Sequence, residues 1–235
     1  MIVKKDFDRQ EIAESMSVLW ELLTADQRQY LVGNIKIHVY EKNEAIYRQG
    51  ETPAYIMCLL EGKVKVYING VGGRTQIIRM IEQMDIFAYR AAFVNEDYKT
   101  SASAFETSTV CMIPIAVMRN LIEGSNELAV FFIRQLSQKL GEADALTVNL
   151  TQKHMRGRLA ESLIALRNKY GYEDDGSTLS IYLSREELAN MSNMTTSNAI
   201  RILSSLTSEN IIITDGRKIK VIDEQKLLQI SENGG

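Results

Sequence analysis

Apolar positions change their period along this chain, and each change predicts an architectural boundary. Residues 8–32 set Leu19, Trp20, Leu22, Leu23, Tyr30 and Leu31 on the apolar sides of helical segments. Thr24-Ala25-Asp26 reads there as a break followed by a new helix start. From Ile35 the period becomes two, with Ile35, Ile37 and Val39 alternating with polar residues. Residues 45–48, 55–60, 64–68, 75–81, 85–87, 101–106 and 109–114 continue as short extended runs. They are punctuated at Gln49-Gly50-Glu51, at Gly62 and at Asn69-Gly70, which opens a hairpin turn continuing through Gly72-Gly73. Short strands with closely spaced turn signals predict an antiparallel barrel or sandwich.

The helical period returns near Ile115. A short helix over 115–121 ends at Gly124-Ser125, and a long helix covers about 126–150. Ile133, Leu136, Leu140, Ala143, Thr147 and Leu150 are spaced 3-4-3-4-3 along it, the a/d seam of a coiled coil. Arg134, Lys139, Glu142 and Asp144 flank this narrow stripe, which predicts a homodimer. The competing reading is a core helix packed on its own barrel. Gly141 inside the helix costs about 1 kcal/mol against alanine, which a close helix crossing would offset.

Residues 151–157 are polar, contain Gly157 and are read as a hinge. The expected domains are 1–125 for an effector-type barrel with N-terminal helices, 126–150 for the dimerisation helix and 158–235 for a C-terminal domain. In that last part 158–170 is an amphipathic helix, 171–177 an acidic loop and 179–183 a short strand. Ser184 with Glu187 forms a capping box that starts a helix. Asn193 sits where a tight turn needs left-handed geometry, and Thr195 caps a second helix. Ala199, Ile202, Leu203 and Leu206 give that helix one buried stripe, leaving Thr196, Ser197, Ile200, Arg201 and Ser204 on its other face. A core helical hairpin would share the apolar spacing. The polar face predicts instead a helix-turn-helix whose second helix enters the DNA major groove. Strands at 211–213 and 219–222 then carry Arg217, Lys218 and Lys220, a basic wing able to reach phosphates.

Composition tempers this picture. Apolar residues make up 45%, enough for a sizeable core, but the formal charge is −3. Residues 155–235 hold ten Lys and Arg against eleven Asp and Glu, so a DNA contact must come from local clusters. Cys58 and Cys111 are isolated in apolar runs and read as buried free thiols, so no metal site is expected. No secretory signal and no membrane-length apolar run are found, which predicts a cytoplasmic protein with no membrane partner. There is no P-loop, nucleophile elbow or paired-carboxylate motif, and no enzyme is expected.

Taken together, the order of elements resembles the cyclic-AMP receptor protein/FNR family of bacterial transcription regulators. Gly50-Glu51 with Gly62-Lys63-Val64-Lys65-Val66 is similar to the cyclic-nucleotide-binding pattern. Residues 183–212 align with the family without a gap, with Arg185, Glu187, Leu188, Arg201, Ile202, Leu203, Leu206, Asn210 and Ile212 in family positions. The resemblance implies an α+β chain: a cyclic-nucleotide-binding-like jelly roll, a dimerisation helix and a winged helix-turn-helix. It implies double-stranded DNA carrying an inverted repeat, a second copy of the chain and RNA polymerase as partners. The runner-up is a small-molecule-binding regulatory module that acts through protein partners.

The resemblance also exposes departures. Where cyclic-nucleotide binders carry Gly-Glu for the ribose and Arg-Ser for the phosphate, this chain has Ala88-Tyr89 and Lys99-Thr100. A point charge replaces a bidentate fork, and the ribose acceptor is gone. The base-contacting Thr-Ser pair corresponds to Ala143-Asp144. No cofactor is expected and cyclic AMP is disfavoured. Ala88, Tyr89, Arg90, Lys99 and Thr100 either bind an unidentified anionic small-molecule effector or line a vestigial pocket, with the cations paired to Glu96 and Asp97. At the second helix of the motif the family's Arg-Glu pair becomes Thr196-Ser197, while Arg201 remains. Arg201 is the expected guanine reader and Ile200 a thymine-methyl contact. Ser197 and Asn198 are expected on bases or phosphates, Thr195 and Arg185 on phosphates.

Overall fold

A computed structural model describes residues 8–70 and 75–233, so the predicted continuation of the hairpin turn through Gly72-Gly73 lies outside the described residues. The chain opens with α1 (Arg9–Ser15), α2 (Ser17–Trp20) and α3 (Ala25–Asn34). The expected break at Thr24 is a capping box: its hydroxyl accepts from Gln27 N while the Gln27 side chain accepts from Thr24 N. Leu19, Leu23 and Leu31 are buried in one apolar cluster with Ile56, Cys58, Cys111 and Ile113 of the strands that follow.

Those strands are β1 (Lys36–Tyr40), β2 (Ala45–Tyr47), β3 (Tyr55–Glu61), β4 (Val64–Asn69), β5 (Thr75–Ile81), β6 (Ile86–Phe87), β7 (Ser101–Ala104) and β8 (Ser108–Pro114). They form two four-stranded sheets, ordered β1-β8-β3-β6 and β2-β7-β4-β5. The antiparallel barrel is thus two facing sheets without edge-to-edge closure. Tyr47, Val64, Val66, Ala102 and Ala104 of one sheet meet Met57, Leu59, Phe87 and Val110 of the other inside. Gly62, at φ +91°, turns the chain where an added Cβ would lie 2.5 Å from the Thr107 carbonyl oxygen and 2.8 Å from Ser108 Cα. Only glycine meets both requirements. Cys58 and Cys111 stand opposite each other on β3 and β8, both buried and unbridged. Burial pushes the Cys111 thiol up to about 12 and the Cys58 thiol higher still, so neither is a thiolate at neutral pH.

Three further helices are α4 (Tyr89–Val94), between β6 and β7, and α5 (Ile115–Glu123) and α6 (Asn126–Gln152, 27 residues), after β8.

 The last of these ends at Gln152, two residues beyond the expected end. The periodicity gave no helix at α4; it starts from Ala88 in a left-handed conformation, φ +67°, where the resembled family has glycine. Leu128 and Phe132 anchor the start of α6 in the same apolar cluster as Leu19 and Cys58.

The chain divides into two compact units, and the division falls inside α6, between Leu140 and Gly141. Only Lys153 and His154 separate α6 from α7 (Met155–Tyr170). The non-helical link is therefore narrower than the expected 151–157 stretch: Thr151 and Gln152 complete α6, and Met155, Arg156 and Gly157 already belong to α7. Glu161 on α7 accepts from Asn149 Nδ2 at 2.6 Å and pairs with Lys153 Nζ at 3.3 Å, which braces the end of α6 against α7.

In the second unit, α8 (Arg185–Met191) and α9 (Thr196–Ser208) follow, then β9 (Ile212–Asp215), β10 (Lys218–Val221) and α10 (Glu224–Glu232). Leu159, Leu163 and Leu166 of α7 are buried, as are Leu188, Ala199, Leu203, Leu206, Ile219 and Leu227 of the later elements. The expected strand over 179–183 does not form. Leu179, Ile181 and Leu183 do point inward, but the ladder is limited to single bridges of Tyr172 with Leu179 and Thr178 with Lys220. Alternating burial does not require a continuous hydrogen-bonded neighbour. The closing helix α10 was not anticipated; Asp223 caps it by accepting from Lys226 N.

Candidate nucleic-acid interface and effector pocket

The helix pair is built as its sequence demands. Ser184 Oγ accepts from Glu187 N at 3.1 Å, and Glu187 returns a carboxylate to Ser184 N at 2.9 Å. Asn193 adopts φ +50° in the turn, and Thr195 caps α9 by accepting from Asn198 N at 3.3 Å. Ala199, Leu203 and Leu206 face the core, with Ile202 half-buried. Ser197, Ile200, Arg201 and Ser204 are exposed on the opposite side, and Ile200 keeps 48% of its surface open.

Asn198 makes two side-chain contacts within the chain. Its Oδ1 accepts from Arg201 Nη2 at 2.8 Å, and its Nδ2 lies 3.2 Å from Met155 Sδ. The side chain is thus a brace that orients the guanidinium. Arg185 opens α8, and its Nη1 is buried without a hydrogen-bond partner. Two other arginines, both missed by sequence reasoning, hold this motif from α7. Arg158 donates to the carbonyls of Leu150 and Asn193, each at 3.1 Å. Arg156 clasps Glu209 at 2.7 and 2.8 Å and also donates to Ser205 at 2.9 Å, beside the end of α9. These bonds hold the Glu209 carboxyl down to about 2, first through Arg156 and then through Ser205. A depressed carboxyl pKa supports the fold above the ordinary glutamate range, and that support is lost only as pH falls toward 2.

The hairpin β9–β10 is antiparallel and pairs Asp215 with Lys218 around Gly216, which has φ +54°. Arg217 is exposed at its turn. Lys218 Nζ lies 5.3 Å from the centre of the Tyr182 ring and 3.9 Å from Glu173 Oε2, while Lys220 Nζ is 3.3 Å from Asp175 Oδ2. Of the three wing cations, two face carboxylates of the acidic loop, a pairing the residue spacing did not reveal.

The five pocket candidates divide between two settings: Tyr89 faces the helical layer, while Thr100 and Arg90 act on the Tyr47 hydroxyl. Tyr89, at the position of the family's ribose-binding carboxylate, is buried among Phe93 and Phe132, with ring centres 5.9 and 5.5 Å away. It serves the helical layer outside the sheets and does not line their interior. Lys99 is exposed and pairs with Glu96 at 3.7 Å, while Asp97 accepts from the Thr52 hydroxyl at 2.8 Å. Arg90 is exposed. Thr100 Oγ1 lies 3.4 Å from the Tyr47 hydroxyl. The interior itself is occupied: Tyr47 and Tyr98 stack at 4.0 Å between ring centres and are buried with Tyr40 and Phe87. Burial raises the Tyr47 hydroxyl above its ordinary range, while Thr100, Arg79 and Arg90 oppose that rise. Among the described residues no group of three or more His, Cys, Asp or Glu could hold a metal ion, and no helix is long and apolar enough to cross a membrane.

On α6 the expected seam residues Ile133 and Leu140 expose 61% and 64% of their surface. Leu136, Ala143 and Thr147 are also exposed, and Leu150 is half-buried. The stripe is not core of its own chain.

Residues 37–125 match the cyclic nucleotide-binding domain, and residues 157–230 match the Crp-like helix-turn-helix domain. Electron transport regulator A of Shewanella oneidensis is 22% identical over 194 residues, covering 82% of this chain and 77% of that protein. The cAMP-activated global transcriptional regulator CRP of Pasteurella multocida is 22% identical, covering 82% of this chain and 93% of its own. Among solved structures, a transcriptional regulator of the crp/fnr family from Eubacterium rectale superposes with a TM-score of 0.77 at 16% identity, covering 93% of this chain and 99% of that one.

Proposed function

The chain belongs to the CRP/FNR family of transcriptional regulators, and from that premise we propose a homodimer that reads an inverted repeat in double-stranded DNA. One observation carries the reading: α9 presents Arg201, braced by Asn198, beside an open Ile200. A positioned guanidinium suits guanine O6 and N7, and an exposed branched side chain suits a thymine methyl. Ser197 and Thr196 lie at the start of the same helix and serve bases or phosphates there. Arg185, Thr195, Arg217 and Lys218 are assigned to phosphates, which position the protein without reading sequence. The exposed α6 stripe supports pairing of two copies through Ile133, Leu136, Leu140, Ala143, Thr147 and Leu150. We assign the working domains as 1–125, 126–150 and 158–235, with the short link around Lys153 and His154 joining the last two. The regulator works in the cytoplasm, where its DNA is, and acts on RNA polymerase.

Selection of duplexes from a random library tests this reading. The expected product is an inverted repeat with half-site centres about 10 base pairs apart or a multiple of that. Enrichment of no sequence would overturn it.

We further propose that the sandwich domain does not respond to cyclic AMP. The Tyr47–Tyr98 stack fills the interior, and Tyr89 takes the ribose carboxylate's place while facing elsewhere. Cyclic AMP at saturating levels for its known binders is expected to leave both melting temperature and operator affinity unchanged. A stabilisation that grows with ligand concentration would refute this. A small anionic effector is the second reading, favoured by Arg79 and Arg90 acting on the Tyr47 hydroxyl.

A further inference from the structure

The acidic loop is held alongside the wing by the backbone. Leu179 N donates to Ile219 O at 2.9 Å, and Val221 N donates to Ser177 O at 2.8 Å. This sets Glu173 3.9 Å from Lys218 Nζ and Asp175 3.3 Å from Lys220 Nζ. Asp175 is itself fixed: its carboxylate accepts from Ser177 N at 3.0 Å, Thr178 N at 2.8 Å and the Thr178 hydroxyl at 2.7 Å. Those hydrogen bonds, first from Thr178 and then from Ser177, hold its carboxyl well below the usual range, so it stays charged wherever DNA would be bound.

Exposed pairs of this kind contribute little to stability. Their consequence lies in what they compete with. A wing lysine that meets a phosphate must leave its carboxylate, and the carboxylate then repels the same phosphate. We propose that Glu173 and Asp175 are internal substitutes for DNA phosphate that hold Lys218 and Lys220 and so suppress the wing's sequence-independent contribution to DNA binding. This rests on the DNA-binding reading above. Non-specific complexes depend on phosphate contacts for essentially all their affinity. A specific complex shares these phosphate contacts but has base contacts as well, so restraint of the wing weakens both complexes and leaves the specific one with affinity to spare. The net negative charge of the chain fits a regulator whose cations are restrained.

The test is a salt titration of the full chain on a duplex of random sequence. Glu173→Gln is the main variant, because Glu173 lacks the hydrogen bonds that fix Asp175. Asp174→Asn is the control: it makes the same charge change in the same exposed loop, at a residue in neither pair. Glu173→Gln is expected to bind random DNA several-fold more tightly, with a log–log salt slope steeper by about 0.9, one additional phosphate contact. Asp174→Asn should give a clearly smaller change, and Glu173→Gln should have no effect in a Lys218→Gln background. A folding defect cannot imitate a gain in affinity. Equal effects of the two loop variants, or an effect that persists without Lys218, would overturn the inference and assign the change to net charge. So would a wild-type slope that Lys218→Gln alone already lowers by a full contact. If neither the wild type nor any variant binds any duplex, the DNA-binding reading itself fails.

Discussion

Replacing both Ile133 and Leu140 with aspartate is expected to leave a folded monomer whose affinity for an inverted repeat is lower by about 10²–10⁴. Within one chain, both side chains keep more than half their surface in water, and neither belongs to an apolar cluster. Their loss removes only the smaller, covered part of each side chain from the packing of the monomer. The substitutions cost only the weaker helix propensity of aspartate, a few tenths of a kcal/mol each. Across a seam the balance is different: aspartates at paired a and d positions would bury unpaired carboxylates facing each other. Two linked winged helices hold a repeat by avidity, because the second half-site is met at high effective concentration. A monomer keeps only one half-site. Light scattering should report the mass of one chain, and circular dichroism an unchanged helix content. A dimer that survived both substitutions would assign the α6 stripe to another partner.

The same stripe shows what could be read from the residues and what could not. Its 3-4 spacing was legible because helical period is local, and so were the caps at Ser184 and Thr195, the turn at Asn193 and the inward face of α9. Side-chain partnerships across the fold were not. Tyr47 and Tyr98 lie on separate inward-facing segments, and nothing in their spacing says that their rings stack. Tyr89 is legible in the sequence only as a position along the chain; a left-handed Ala88 starts a short helix there and turns the ring into the helical layer. The wing's lysines were legible as a charge cluster. Their carboxylates stand about forty-five residues earlier and meet them only because the backbone of 177–179 bonds to β10. In the same way, Arg156 reads as part of a polar linker and Arg158 as the start of an amphipathic helix, yet their guanidinium groups reach the end of α9 and the helix-turn-helix turn.

Arg201→Ala is expected to cost about 1–3 kcal/mol per half-site on the selected repeat and far less on random DNA. The asymmetry follows from the placement of the side chain. Arg201 is exposed on α9 and is oriented by Asn198 Oδ1 at 2.8 Å, so little side-chain freedom remains to be lost on binding. A guanidinium that only met phosphate would lose affinity nearly uniformly across sequences and lower the salt slope by about one contact. A base reader loses discrimination at one base pair, and its salt slope changes little. Asn198→Ala should follow the same pattern at smaller amplitude, because it removes the brace and leaves the reader. Since Asn198 N still bonds to Thr195 Oγ1, the cap of α9 survives that change. Binding of both variants to the selected repeat, to the repeat with one guanine changed and to random DNA separates the cases. Equal losses on all three duplexes would move Arg201 from the bases to the backbone, and the thymine contact of Ile200 would then have to carry the specificity of the helix alone.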